Sequence, residues 1–271
     1  MSDRVSVSTT DGVADVRLNR PDKLNALDGA MFEALTATGQ ALAQDRSVRA
    51  VVLSGEGRAF SAGLDVGAFQ TLARAVSDSE SGAQNLLARS DESPANRAQL
   101  VSWIWQELPV PVIGAIHGVA YGGGLQIALG TDIRFIAPDA RMSVMEIKYG
   151  LIPDMAITQT LRHVVRLDLA KELTYSGRIV SGAEAVELGL ATHLSDTPRE
   201  AALELAYEIA GRSPEAVRAA KTLLNTAVNA GVREGLELEE QLQRSLIGGP
   251  NQIEAVKASF EKRQPKFQDP E

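Results

Sequence analysis

The residues best suited to chemistry include three consecutive glycines, Gly122 to Gly124, which lie between an apolar run and an apolar helical pattern. Glycine has no Cβ, so the backbone can approach a ligand closely there. The first N–H groups of a helix have no partner within the helix, and the helix dipole makes that end partly positive. Such an end favours an anion or a developing oxyanion. The glycines would equally suit tight packing against a neighbouring backbone, and the sequence leaves both interpretations open.

Two carboxylates follow in the segment formed by residues 141–155. Glu146 and Asp154 both have apolar neighbours in this segment. A carboxyl group in apolar surroundings has a raised pKa, which suits proton transfer near neutral pH. The alternative for Glu146 is a surface or helix-capping role, and for Asp154 it is a turn or an N-cap ahead of residues 156–161.

The composition argues against several other functional classes. The 271 residues include no cysteine, which excludes thiolate metal sites and cysteine nucleophiles. The three histidines are scattered and Ser61 lies in no G-x-S-x-G motif, so neither a metal site nor a peptidase is indicated. Ile127 stands where a dinucleotide-binding motif needs its third glycine. A formal net charge of −8 argues against nucleic-acid or membrane partners, and without a signal-peptide core we expect a cytoplasmic protein.

An alternation of strands and helices has to position these residues. Residues 110–135 read as a strand, a glycine turn, a buried helix and a second strand. Residues 4–9 and 13–18 flank Asp11-Gly12, which is typical of a hairpin. Residues 48–53 predict a buried strand that runs into the glycine-rich loop 54–66. A strand followed by a glycine-containing loop therefore occurs twice.

Two other parts of the chain have a different character. Residues 70–98 are rich in Ser, Asp and Glu, which indicates an exposed, mobile segment that is either a lid or a solvated insertion. Beyond residue 198 the pattern is wholly helical. We therefore predict an α/β core over residues 1–197 that carries the site, and a helical oligomerisation region over residues 198–271.

Five motifs, in order along the chain, resemble the crotonase (enoyl-CoA hydratase/isomerase) superfamily: RPDKLNAL, AFSAGLD, IHGVAYGGG, ALGTDIRF and SFEKRQPKF. They are distributed along nearly the whole chain, from residue 20 to residue 267. The resemblance implies an α/β fold, a crotonase-like spiral of repeated ββα units with a C-terminal α-helical region. It also implies an acyl-CoA thioester substrate, no cofactor beyond its CoA moiety, and a homotrimer or a dimer of trimers.

The resemblance also implies roles for individual residues. The peptide N–H groups of Leu64 and Gly123 would form an oxyanion hole for the thioester oxygen. Phe260 and Lys262 match a C-terminal pair that reaches CoA, often from a neighbouring subunit. The remaining CoA contacts would come from two loops and comprise Lys23, Leu24, Ala26, Ala62, Asp65 and Val66. Taken singly, each lysine would read as a solvated surface charge.

The chain departs from the hydratase pattern at two positions. Family hydratases hold one water between two glutamates; Glu146 matches one of them, but Gln126 replaces the other. An amide cannot accept a proton at neutral pH, although it can hold water. Asp154 stands where hydratases have glycine and matches an aspartate of the dienoyl-CoA isomerase branch, which has an acid where this chain has Gln126.

One base and an oxyanion hole suffice to move a double bond, whereas efficient hydration needs a second carboxylate. The sequence therefore favours isomerisation of an enoyl-CoA or dienoyl-CoA, with Glu146 as main base and Asp154 as partner. The alternatives are a weak hydratase in which Gln126 holds the water, and a non-catalytic acyl-CoA-binding protein.

Overall fold

The computed structural model describes residues 3–65, 67, 87–89 and 93–270. Val66 and most of the predicted mobile segment 70–98 lie outside the described residues. The strands are β1 (Val5–Thr10), β2 (Val13–Leu18), β3 (Ala50–Gly55), β4 (Val112–Ile116), β5 (Val119–Tyr121), β6 (Ile133–Ile136), β7 (Arg141–Ser143), β8 (Val180–Ser181) and β9 (His193–Leu194). The helices are α1 (Gly29–Gln44), α2 (Arg97–Glu107), α3 (Gly123–Leu129), α4 (Ile157–Thr160), α5 (Leu167–Ser176), α6 (Gly182–Leu188), α7 (Pro198–Ala210), α8 (Pro214–Ala227), α9 (Val232–Leu246) and α10 (Pro250–Glu261).

Two sheets organise the core. The larger has the order β1-β2-β3-β4-β6-β9 and is parallel except for the antiparallel β1–β2 hairpin. The predicted hairpin is present, and Asp11 and Gly12 at its turn both have a positive φ, as the tight hairpin turn requires. The smaller sheet has the order β5-β7-β8. The described residues therefore form the mixed α/β structure that the strand and helix patterns predict.

The apolar run before the glycines divides between the two sheets. The sequence pattern predicts one strand there, but the structure has β4 in the larger sheet and β5 in the smaller one. The chain turns between them at Gly118, whose φ is +60° and whose α-carbon packs against the Arg58 carbonyl group. Because the chain changes sheets at this point, the glycine triplet after β5 lies beside the loop after β3.

The core lies on both faces of the larger sheet because strand side chains alternate between the faces. On one face, Val51 and Leu53 of β3 pack in a large cluster with Trp105 of α2. On the other, Ala50 and Val52 pack in a second cluster with α7. The buried side of α7 includes three alanines spaced four residues apart, Ala202, Ala206 and Ala210, which let the helix lie close to the sheet.

The helices after α7 bury much less of their surface. Helix α9 has no buried residue, and its apolar residues Val232 and Leu236 are 84% and 59% exposed. The chain end returns to the core, where Arg49 donates to the Phe267 carbonyl oxygen and pairs with Asp269 at 2.8 Å. In the part of the chain that the structure describes, no helix is both long and apolar enough to cross a lipid bilayer.

Candidate active site

A cavity of about 270 Å³ opens where three loops meet, each following a strand: β3, β5 or β7. We call it the site cavity. Most of its walls are apolar, and two carboxyl groups lie among them. It is lined by Phe32, Ala62, Gly63, Leu64, Leu87, Ala98, Tyr121, Gly122, Gly123, Met145, Glu146, Tyr149, Leu151, Ile152, Asp154 and Met155. Residues separated by more than a hundred positions in sequence thus share one pocket.

Two of the residues that line this cavity are Leu64 and Gly123. Leu64 forms a parallel bridge with Leu27, in which the Leu27 N–H donates to the Gly63 oxygen and the Asp65 N–H donates to the Leu27 oxygen. The Leu64 N–H consequently points away from Leu27. Gly123 is the first residue of α3, so its N–H has no partner within the helix. Within the described part of the chain, neither N–H group donates a hydrogen bond.

The two peptide groups are neighbours. A Cβ added at Gly63 would lie 3.5 Å from the Gly123 nitrogen and 2.4 Å from the Tyr121 oxygen. Two glycines of the triplet have different surroundings. Gly124 packs tightly, since a Cβ added there would lie 2.5 Å from the Ser61 oxygen. A Cβ added at Gly122 would lie 3.2 Å from its nearest neighbour, an oxygen of the Glu146 carboxyl group.

Glu146 begins a 3₁₀ turn after β7, and its carboxyl group is held on one side only. The Gln126 amide donates to Oε1 at 2.7 Å, while Oε2 is buried with no hydrogen-bond partner among the described residues. Burial raises the pKa of Glu146, and the nearby charge of Asp154 adds to this, although the Gln126 bond opposes it. A carboxyl group with a raised pKa and one uncommitted oxygen is suited to accept a proton.

Asp154 lines the same cavity at a more accessible point. The residue as a whole is exposed, but the atoms packed around its carboxyl group disfavour the charged form and raise its pKa. The alternative interpretation of Asp154 as an N-cap does not hold, since α4 begins after Ala156, whose backbone is left-handed and which provides no side-chain cap. The cavity is therefore lined by two carboxyl groups whose pKa values are raised by burial.

Gln126 lies behind Glu146 and is only 1% exposed. Its amide nitrogen donates to Glu146, and its amide oxygen accepts the Met155 N–H at 2.7 Å. Gln126 is not part of the cavity lining. Each end of the amide thus makes one hydrogen bond within the protein, and the water-holding role of Gln126 stays a prediction.

The two loops expected to contact CoA lie side by side, with the Ala62 N–H donating to the Leu24 oxygen at 2.8 Å. Lys23 is exposed at the end of a 3₁₀ turn, and Ala26 is buried. Asp65 pairs with Arg20 at 2.6 Å, and the Gly67 N–H together with Arg20 holds the pKa of Asp65 below its usual value. Sequence reasoning gave Arg20 no role, although it is the first residue of the RPDKLNAL motif.

The C-terminal pair is not brought to this cavity. Phe260 is 85% exposed, and Lys262 caps α10 with a left-handed backbone. Neither residue lines the site cavity of its own chain. Sequence reasoning also missed the apolar wall formed by Tyr149, Leu151 and Ile152; its signal was the run of apolar residues between Glu146 and Asp154.

Comparisons with known proteins agree with this architecture. A family model described as enoyl-CoA hydratase/isomerase matches residues 8–270. The mitochondrial methylglutaconyl-CoA hydratase of Mus musculus is 33% identical over 264 residues, which cover 94% of this chain and 79% of that protein. The mitochondrial Delta(3,5)-Delta(2,4)-dienoyl-CoA isomerase of Mus musculus is 32% identical over 258 residues, covering 94% of this chain and 78% of that protein.

Solved structures agree as well. The crystal structure of a putative enoyl-CoA hydratase from Streptomyces coelicolor A3(2) is 35% identical and superimposes with a TM-score of 0.86, covering 99% of this chain and 95% of that one. The expected crotonase-like α/β fold is confirmed. The chain is an acyl-CoA enzyme that belongs to the enoyl-CoA hydratase/isomerase family.

Proposed function

We propose that the enzyme moves a double bond along an unsaturated acyl-CoA thioester, with Glu146 as the main base. One observation carries the proposal: Glu146, which has one oxygen without a hydrogen-bond partner, lines the same cavity as Leu64 and Gly123, whose peptide N–H groups have no partner among the described residues. The thioester oxygen would accept hydrogen bonds from the N–H groups of Leu64 and Gly123. A base and an oxyanion hole around one carbonyl group favour an enolate.

The proposed reaction has two steps, and the substrate loses and regains one proton without any net change in its electrons. Glu146 takes a proton from the carbon next to the thioester, and the electron pair of that C–H bond moves onto the thioester oxygen. The oxygen then returns the pair, the double bond shifts, and a carboxylic acid delivers a proton further along the chain. When Asp154 delivers it, the proton held by Glu146 must pass to Asp154 before the next turnover. No electron leaves the substrate, so the reaction requires no cofactor beyond the CoA moiety.

Hydration is the second candidate. Asp154 supplies a second carboxyl group to the cavity, and one relative named above is a hydratase. Against hydration stands Gln126, which supplies no carboxylate and is bonded at both ends. A third candidate is an acyl-CoA-binding protein without turnover.

The substrate would extend from the cavity in two directions. The apolar walls, including Phe32, Leu151 and Ile152, would surround the acyl chain. The loops at residues 23–26 and 62–66 would hold CoA, with Lys23 as a point charge for its phosphates. Phe260 and Lys262 would reach the CoA of a neighbouring subunit in a homotrimer or a dimer of trimers. The exposed apolar residues of α9 support such an assembly, and sedimentation would test it.

A product assay tests the proposed activity. The enzyme is offered 2-enoyl-, 3-enoyl- and 3,5-dienoyl-CoA, and products are identified by mass and ultraviolet absorbance. We expect isomerisation that falls about 10²–10⁴-fold in Glu146→Gln, since the base is lost. Glu187→Gln, a change of the same type at an exposed position, should keep full activity. Preferential addition of water to 2-enoyl-CoA would establish the hydratase, and tight binding without any product would establish the binding protein.

A further inference from the structure

Gln126 occupies a fixed position between the two halves of the site. It lies in the middle of α3, a helix whose residues are all buried. Its amide nitrogen lies 2.7 Å from Glu146 Oε1, and its amide oxygen lies 2.7 Å from the nitrogen of Met155, which follows Asp154 directly. One side chain thus connects the proposed base with the backbone that carries the second carboxyl group.

The orientation of this amide is determined by the protein. A backbone N–H only donates, so the Met155 nitrogen requires the oxygen of the Gln126 amide to face it. The NH₂ group must then face Glu146, where it donates to a carboxylate oxygen. A donor at this place stabilises the charged form of Glu146 against the effect of burial. It also occupies Oε1, which leaves Oε2 as the oxygen that can accept a proton.

We propose that Gln126 is a positioning residue for both carboxyl groups: it presents Glu146 to the substrate through one oxygen and fixes the segment that bears Asp154. This inference rests on the proposed function for its effect on turnover. It gives Gln126 a role that does not involve holding a water. It also explains why a carboxylate at residue 126 would change the site rather than merely add to it.

Two substitutions separate the functions of the amide. Gln126→Glu keeps the shape and the bond from Met155 but replaces the donor facing Glu146 with a second acceptor. Two carboxyl groups in hydrogen-bond contact share a proton, so the proton affinity of Glu146 should rise. Gln126→Leu removes both bonds, which frees the segment that carries Asp154 as well.

Gln106 provides a matched control at the other end of the same helix. Its amide nitrogen donates to the oxygen of Gly130, the C-cap of α3, at 2.8 Å. Gln106→Leu therefore removes a hydrogen bond to α3 without touching the site cavity. A purely structural role of Gln126 would make the variants at both positions behave alike.

The experiment combines the pH dependence of kcat/KM for isomerisation with an infrared titration of the Glu146 carboxyl group, assigned by comparison with Glu146→Gln. We expect both Gln126 variants to move the acidic limb and the titration to higher pH, and Gln126→Glu to lose about tenfold or more in kcat/KM at neutral pH. Gln106→Leu should lower the melting temperature without moving either midpoint. Unchanged midpoints in the Gln126 variants, or equal shifts in Gln106→Leu, would overturn the proposal. If wild type isomerises nothing but the infrared midpoint still moves only in the Gln126 variants, the proposed function fails and the positioning role stands.

Discussion

The site cavity differs from a larger cavity that lies against α8. This second space, the α8 cavity, has a volume of about 690 Å³ and is lined by Lys221 and Leu224 of α8 together with Asp132 and Arg134 near the start of β6, among others. Lys221 donates to two backbone oxygens and pairs with Asp132 at 2.8 Å. In the smaller site cavity, Glu146 Oε2 has no partner among the residues that the structure describes. Unsatisfied polar groups, rather than volume, distinguish the cavity where chemistry is proposed.

Burial shifts the pKa values of charged groups in both cavities, but the hydrogen bonds around these groups differ. Burial lowers the pKa of Lys221, while Asp132 opposes the shift. Burial also lowers the pKa of Arg134 to about 10, and its guanidinium donates to the Thr131 and Leu190 oxygens. Around Glu146, by contrast, burial and the charge of Asp154 both favour the protonated form. The charged groups of the α8 cavity are thus paired or hydrogen-bonded, whereas Glu146 in the site cavity keeps one oxygen without a partner among the described residues.

The largest expected effect tests the α8 side of this comparison. Lys221→Met removes the partner of Asp132 and leaves the Trp105 and Val110 oxygens without their donor. Removing one member of a buried pair typically costs about 3–5 kcal/mol, so we expect a loss of that order in the free energy of unfolding, measured with denaturant. Turnover per folded molecule should stay unchanged. The exposed Lys171→Met is the control and should change stability by less than about 0.5 kcal/mol. A loss of turnover in folded Lys221→Met would break the comparison.

A substitution in the loop after β3 tests the site cavity. The φ of Gly63 is +83°, and an added Cβ would lie 2.4 Å from the Tyr121 oxygen, so Gly63→Ala must displace the peptide that presents the Leu64 N–H. Loss of one oxyanion donor typically costs about 10²–10³ in rate, and we expect kcat to fall by that factor. Gly12→Ala, with a φ of +78° at the hairpin, carries a similar backbone penalty far from the cavity. Equal activity of the two variants per folded molecule would contradict the proposed oxyanion hole.

Asp154→Asn distinguishes the two carboxyl groups of the site cavity. Isomerisation of a 3-enoyl substrate moves a proton between two nearby carbons, and Glu146 alone can transfer it. A 3,5-dienoyl substrate needs delivery to a more distant carbon, where Asp154 would act. We therefore expect a loss of about tenfold or more in kcat for the dienoyl substrate and little change for the 3-enoyl substrate, compared by initial rates. Equal losses on both substrates would mean that Asp154 does not act as a separate proton donor.

The sequence revealed those parts of the site that depend on local pattern. The glycine triplet predicted a helix start, and the apolar neighbours of Glu146 predicted a raised pKa; both predictions match the structure. The Asp11-Gly12 turn predicted the first hairpin. In each case the relevant physics lies within a few residues, such as a helix terminus, a tight turn or a short apolar segment.

The sequence did not reveal contacts between distant residues. Gln126 meets Glu146 and Met155 at separations of 20 and 29 residues, and Arg20 meets Asp65 at a separation of 45. Periodicity does not show which buried amide faces which carboxylate. The boundary at residue 197 likewise rested on the loss of strand patterns, yet α7 packs on the larger sheet through Ala202, Ala206 and Ala210. That alanine spacing is visible in the sequence and would have assigned α7 to the core.

The smallest expected effect concerns stability rather than rate. It compares a carboxylate whose oxygens are hydrogen-bonded with Glu146, which has one oxygen without a partner among the described residues. Because the pKa of Glu146 is raised in the folded protein, the native state binds a proton more tightly than the unfolded chain. Wild-type stability therefore falls as pH rises from the ordinary carboxyl pKa through the raised one. Glu146→Gln cannot ionise, and its amide oxygen can still accept the Gln126 bond. We expect the variant to be the more stable protein at neutral pH, by about 1 kcal/mol or less, and to lose this advantage in acid.

Glu254→Gln should behave in the opposite way. Its hydrogen bonds from Arg263 and from the Lys266 N–H lower the pKa of Glu254 to about 2, so its contribution to stability is present above the ordinary carboxyl pKa and is lost as pH falls through the folded value. We therefore expect this variant to be less stable than wild type at neutral pH and to approach it in strong acid. Melting temperatures measured across pH for both variants would show the two signs. If Glu146→Gln were destabilised at neutral pH as well, the Glu146 carboxylate would be held by its surroundings like Glu254, and it could not be the uncommitted base that the site cavity requires.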